Sequence, residues 1–164
     1  MKSSYAVTVD WARAGASFSD GRYSRAHPWQ FDGGTDVSDA FSPHIVPLPF
    51  SVEAAVDPEE AVVAALASCH MLWFLSVAAR KGFVADSYRD EATGTLAVDP
   101  EGRLAMTEVV LRPCVAFSGE KRPTATEHDA MHHEAHAQCF IANSVRTTVR
   151  CDARVVARED ASAD

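Results

Sequence analysis

Two of the four cysteines, Cys69 and Cys139, and the run of histidines from His128 to His136 are the side chains best suited to chemistry in this sequence. Cys69 precedes His70 and lies just under three helical turns after Glu59. If one helix carries all three, the thiol and the carboxylate point within about 80° of each other. A thiol attacks a peroxide as its thiolate, and apolar surroundings raise its pKa, so such a site needs a cation or hydrogen-bond donors. Taken alone, Cys69 reads as a small buried hydrophobe within a helix, and so does Cys139, between Gln138 and Phe140-Ile141-Ala142.

His128, His132 and His136 recur every four residues, with His133 beside them and Cys139 three residues on. That is metal-ligand spacing on one helical face, so a zinc site from His128, His132, His136 and Cys139 is a second chemistry for the segment. Against it, His133-Glu134-Ala135-His136 misses the HExxH spacing by one residue, and histidines on an acidic protein can simply be solvated or line the approach to Cys139. Cys114 and Cys151 read as structural, and Trp11, Trp29 and Trp73 as core or interface aromatics. No phosphate loop, dinucleotide fingerprint or GxSxG elbow occurs, which predicts chemistry without an organic cofactor, and the thiol chemistry itself calls for no metal.

The elements that must position these residues follow from periodicity. Residues 5–11 alternate as a strand with one buried face, and residues 23–31 form a second extended segment ending in a hairpin turn at Asp32-Gly33-Gly34. Residues 35–56 carry Pro43, Pro47 and Pro49 and should be irregular. Asp57-Pro58-Glu59-Glu60 is a helix start, with Asp57 as cap and Pro58 at the first position, and Gly82 ends the helix after about Lys81. Residues 61–79 are nearly all apolar, which predicts a helix buried on most sides. A membrane span competes on length, but Cys69-His70 would then sit at the costly midplane, so burial in a core or dimer interface fits better.

Residues 87–98 and 104–117 read as two strands of a meander joined at Asp99-Pro100-Glu101-Gly102. Thr126 is the expected cap of a second helix through about Gln138, residues 147–155 are the last strand, and residues 159–164 are a polar tail. The order predicts an α+β fold and a single domain over residues 1–164. Fifteen basic against 23 acidic residues, a net charge of -8, argue against nucleic acid and anionic membrane partners. The start of the chain shows no secretory signal, and four widely spaced cysteines do not make a disulfide scaffold. Both point to the cytoplasm, where any disulfide is transient.

Asp57-Pro58-Glu59-Glu60 with Ala64-Ala65-Leu66-Ala67-Ser68-Cys69-His70, and Cys139-Phe140-Ile141-Ala142-Asn143-Ser144-Val145, resemble the OsmC/Ohr family of organic hydroperoxide reductases. The likeness runs from the Phe31-Asp32-Gly33-Gly34 turn through the last strand. It implies antiparallel sheets around a long buried central helix, an intertwined homodimer and an active site at the subunit interface. Cys69 would be the peroxidatic thiol, Cys139 the resolving thiol, and Glu59 the carboxylate that orients an activating arginine. Family members place that arginine in the first hairpin or shortly before the glutamate, and here no Arg or Lys occurs from Ala26 through Ala79. Only the hairpin remains, with Arg25 the first choice and Arg22 the second. The implied reaction passes through a Cys69 sulfenate and a Cys69–Cys139 disulfide, which an external dithiol or lipoyl-type reductant reopens. A redox sensor or binding protein with the same two thiols, and the zinc site above, are the alternatives.

Overall fold

Asp57 and Glu60 start the long helix by capping each other: Glu60 N–H donates to Asp57 Oδ1 at 2.8 Å, and Asp57 N–H donates to Glu60 Oε2 at 3.2 Å. Helix α1 then runs over Pro58–Arg80 in the computed structural model, which describes residues 2–155. It stops at Gly82, whose φ of +76° lets Phe83 N–H reach back to the Ala78 carbonyl at 3.0 Å. The boundaries are those expected, but the burial is not. Leu66, His70, Phe74, Val77 and Ala78 form one buried stripe, while Val62 and Leu72 stay 38% and 62% exposed. A helix apolar on every side finds cover along one side only. By length and composition α1 could also cross a bilayer, yet its stripe packs on strands and a helix of the same chain.

Two compact units divide the chain, Met1–Ala61 and Val62–Asp164. The first holds an antiparallel sheet in the order β1 (Val7–Val9), β2 (His27–Phe31), β3 (Asp36–Asp39). The hairpin turn falls at Asp32-Gly33-Gly34 as expected, with Gly34 at φ +83° and Phe31 N–H donating to the Thr35 carbonyl at 2.9 Å. Two expectations fail. β3 lies at the start of the stretch predicted to be irregular, ahead of its three prolines. β1 has no buried face, since Val7 and Val9 are 51% and 54% exposed. The alternation specifies a strand; among the described residues none buries Val7 or Val9.

In the second unit, residues 87–98 and 104–117 do not form two strands but four. β4 (Val84–Asp90) and β5 (Thr93–Val98) pair antiparallel with β7 (Pro113–Ser118) and β6 (Leu104–Leu111), so a long hairpin bends into two sheets. Arg112 fixes the bend. Its N–H donates to Asp90 Oδ1 at 2.6 Å, and its guanidinium donates to the Glu91 carbonyl at 3.2 Å and to Thr93 Oγ1 at 2.9 Å. The last strand also splits, into β8 (Thr148–Cys151) and β9 (Arg154–Val155), which pair parallel with β6 and β7. The hairpin at Asp99-Pro100-Glu101-Gly102 is antiparallel as expected, whereas the last strands return through a helical crossover, the connection parallel strands need. The sheets are ordered β5-β6-β8 and β4-β7-β9.

The crossover helix, α2 (Ala125–Gln138), is capped by Thr124 and not by Thr126. Thr124 has Glu127 three residues on, which closes the reciprocal capping box: Glu127 N–H donates to Thr124 Oγ1 and Thr124 N–H to the Glu127 carboxylate. The stripe of α1 meets two cores. Leu66 packs with Val109 and Leu111 of β6, and Phe74, Val77 and Ala78 pack with Phe83, Val115, Phe117, Met131 and Ala135. The polar tail predicted for residues 159–164 lies outside the described residues.

Gly94 of β5 lets the sheet approach α1: a Cβ there would lie 2.6 Å from Val63 Cγ2 and 2.7 Å from Met106 Sδ. Gly94→Ala should lower the unfolding free energy by about 1–3 kcal/mol, as overpacking does. Denaturant melts with an unchanged midpoint would contradict this account of the packing.

Candidate functional site

The first cluster is the pair of thiols. Cys69 is half-buried on α1, and Cys139 is the buried C-cap of α2, where the backbone turns extended at ψ 111°. A 3-10 turn at Ala142–Ser144 follows, and Ala142 N–H donates to Cys139 Sγ at 3.4 Å. The Cys69 and Cys139 side chains are neighbours, close enough for Cys69 to act on the Cys139 thiol. Trp73, one turn along α1 from Cys69, meets Phe140 edge-on with ring centroids 5.4 Å apart. Burial first, then the Cys69 contact, push the Cys139 thiol up to about 11, against the pull of the Ala142 and Ile141 N–H groups. Cys139 is therefore protonated at neutral pH.

The residues expected to activate Cys69 lie in the first unit. Arg25 is half-buried and held by its own hairpin: Nη1 donates to the Gly21 and Tyr23 carbonyls, both at 2.6 Å, and Cζ lies 4.0 Å over the Tyr23 ring. Its N–H donates to the Phe50 carbonyl at 3.0 Å, and its own carbonyl accepts from His27 Nδ1 at 2.7 Å. His27 Nε2 in turn lies 2.8 Å from the buried Asp39. Arg22 is exposed, with its N–H donating to Asp20 Oδ1 at 3.0 Å. Among the described residues Arg25 makes no ion pair, and the buried Oε2 of Glu59, on the first turn of α1, has no hydrogen-bond partner.

A second cluster lies one residue further along α1. His70, His128 and His132 are buried at 1%, 2% and 4% exposure. His70 Nε2 is 2.9 Å from His132 Nδ1, His132 Nε2 is 3.3 Å from His128 Nε2, and Cys151 Sγ is 3.9 Å from His70 Nε2. Burial lowers His70 to about 4 and His132 to about 3, so both rings are neutral at pH 7, and burial raises the Cys151 thiol to about 12. Tyr88 Oη, Asp90 Oδ2 and His70 Nδ1 are buried without hydrogen-bond partners.

The face of α2 proposed from its sequence is thereby corrected. His136 is exposed and Cys139 belongs with Cys69, whereas His132 joins His70 and Cys151. A period of four drifts by about 40° per step around a helix, so His128 and His132 share the buried side with Met131 and Ala135 while His136 leaves it. Reading residues 128, 131, 132 and 135 as one apolar-facing stripe would have found both buried histidines. Cys151 is on the inward side of its strand as expected, but only the parallel pairing with β6 brings it to α1.

Residues 51–154 match the OsmC-like protein family, and the chain belongs to that family. A solved OsmC-like protein of unknown function from Vibrio cholerae is 51% identical, with a TM-score of 0.90 over 94% of this chain and 100% of that one. An organic hydroperoxide resistance protein from Elizabethkingia anophelis superposes with a TM-score of 0.69 at 14% identity, covering 94% of this chain and 96% of that one. One from Bacillus subtilis does so at 0.61 and 17%, covering 93% and 98%. At those identities the last two speak for the fold alone. Among curated proteins, none matches the chain.

The protonated state of Cys139 has a direct readout. Alkylation at Cys139, mapped by mass spectrometry, should be negligible at pH 7 and should rise steeply only as pH climbs from 9 toward about 11. Labelling at pH 7 as fast as that of a free thiol in a peptide would contradict the shift.

Proposed function

We propose that the chain is a thiol-dependent peroxidase that reduces organic hydroperoxides with Cys69 and closes a disulfide to Cys139. The observation that carries this reading is the pair of neighbouring thiols on a member of the OsmC-like family. The organic hydroperoxide resistance proteins among its structural neighbours add support through their names. In the reaction, the Cys69 thiolate attacks one peroxide oxygen, the O–O bond breaks, and the other oxygen leaves as an alcohol after taking up a proton. The Cys139 sulfur then attacks the sulfenic acid. Its proton leaves with the hydroxyl as water, and the Cys69–Cys139 bond forms. A dithiol, of lipoyl type or another, reopens it by exchange and is itself oxidised.

Arg25 is the proposed cation that holds the thiolate and polarises the peroxide, and Glu59 the carboxylate that orients it. In support, the carboxylate has a buried oxygen without a partner, and the guanidinium has no carboxylate of its own. Trp73 and Phe140 beside the thiols favour an organic substituent on the peroxide. The protein would work in the reducing cytoplasm, without an organic cofactor. A homodimer would cover the apolar surface left bare at Val7, Val9, Val62, Leu72 and Phe140.

One equivalent of organic hydroperoxide should remove two thiols from the reduced protein and none of that pair from Cys69→Ser, and should leave a trappable sulfenate in Cys139→Ser. With excess dithiol, consumption should continue; oxidation that stops after one round would indicate a sensor. Arg25→Ala should slow the peroxide step by roughly 10²-fold or more, the scale for losing a charge-stabilising donor, while Arg22→Ala leaves it unchanged. No thiol loss in the parent would remove the peroxidase reading.

A further inference from the structure

We propose that His70 Nε2, His132 Nδ1 and Cys151 Sγ form a binding site for one zinc-class divalent ion. The three atoms come from α1, α2 and β8 and lie within 4.8 Å of one another. Around a tetrahedral zinc, two imidazole nitrogens sit about 3.3 Å apart, and a nitrogen and a thiolate sulfur about 3.6 Å apart, from bond lengths near 2.0 and 2.3 Å. Two of the corresponding separations here are 2.9 Å and 3.9 Å, and the third, His132 Nδ1 to Cys151 Sγ, lies within 4.8 Å, so side-chain movements of up to about an ångström would place an ion among the three. Two imidazoles and a thiolate are a borderline-soft set, which suits zinc and excludes calcium and magnesium.

The surroundings orient one of the three ligands, His132. With metal on His132 Nδ1, the ring proton sits on Nε2 and donates to His128 Nε2, 3.3 Å away, which fixes tautomer and orientation. Phe74 stacks on the His132 ring with centroids 4.2 Å apart and holds its plane. His132 and Cys151 also line a cleft of about 630 Å³ whose wall carries Asp129 and an Arg150–Asp152 pair, which opens the ligands to solvent and leaves room for water as a fourth ligand. On binding, the Cys151 thiol proton passes to solvent, each imidazole keeps one proton on its other nitrogen, and no electrons move. The site uses neither Cys69 nor Cys139, so it stands whether or not the peroxidase reading does.

The test is a Co²⁺ titration of the Cys69→Ser/Cys139→Ser protein, followed by Zn²⁺ competition against a chromophoric chelator. One ion per chain is expected, with a thiolate-to-cobalt charge-transfer band and the visible spectrum of a tetrahedral ion. Cys151→Ser, shown folded by circular dichroism, should lose the band and bind Zn²⁺ roughly 10²-fold or more weakly. His136→Ala and Cys114→Ser should keep both, and His132→Gln should lose the visible bands even if Cys151→Ser does not fold. No stoichiometric uptake by folded protein would overturn the proposal. So would a band that survives Cys151→Ser or disappears in His136→Ala.

Discussion

Burial of a single stripe of α1 organises both clusters. Leu66, Phe74, Val77 and Ala78 are fixed against β6, β7 and α2, and each buried aliphatic or aromatic side chain of this size contributes about 1.5–3 kcal/mol. Once that stripe is set, no freedom is left for the residues between. His70 lies on it, between Leu66 and Phe74, and must meet α2. Cys69, one residue back and about 100° around the helix, must face elsewhere, and it meets the chain just after α2 ends. Adjacent residues thus serve two unrelated groups of side chains.

The end of α2 is the other half of that arrangement. The Thr124–Glu127 capping box sets where the helix begins, and the extended backbone of Cys139 sets where it stops. In between, His128 and His132 face inward with Met131 and Ala135. Glu134 reaches Arg80 at 2.7 Å and Lys81 at 3.3 Å on the outer side. Such exposed ion pairs add little stability, so the inward face sets the position of α2. The same docking turns the following residues so that Cys139 meets Cys69 and the chain re-enters the sheets parallel to β6 and β7.

What the sequence made legible was local. The ends of α1 could be read from Asp57, Pro58 and Gly82, the first hairpin from Asp32-Gly33-Gly34, and the β5–β6 turn from Asp99-Pro100-Glu101-Gly102, because each rests on the backbone preferences of a few neighbouring residues. The bend at Arg112 could not be read, because it depends on hydrogen bonds to Asp90, Glu91 and Thr93 about twenty residues away. Nor could the parallel pairing of β8, which follows from where α2 docks. The cysteine pair was legible only through likeness to a family, and the histidine cluster was misassigned. Its four members, His70, His128, His132 and Cys151, were visible in the sequence as an adjacent residue, two histidines of a repeat and a strand cysteine, with nothing local to join them.

Burial also separates the roles of the two thiols in the proposed reaction. Cys139 is fully buried and held protonated, so it does not compete with Cys69 for peroxide. Cys69, half-buried, is the sulfur that a substrate can reach. Once Cys69 carries a hydroxyl, the contact that helped hold the proton on Cys139 is altered, and the buried sulfur faces an electrophile in place of a thiol. A thiol of high pKa is also intrinsically the stronger nucleophile when it does ionise. In the proposed reaction, the burial that would keep Cys139 idle in the reduced protein would not prevent it from closing the disulfide, and the order of the two steps would follow from which sulfur the core encloses.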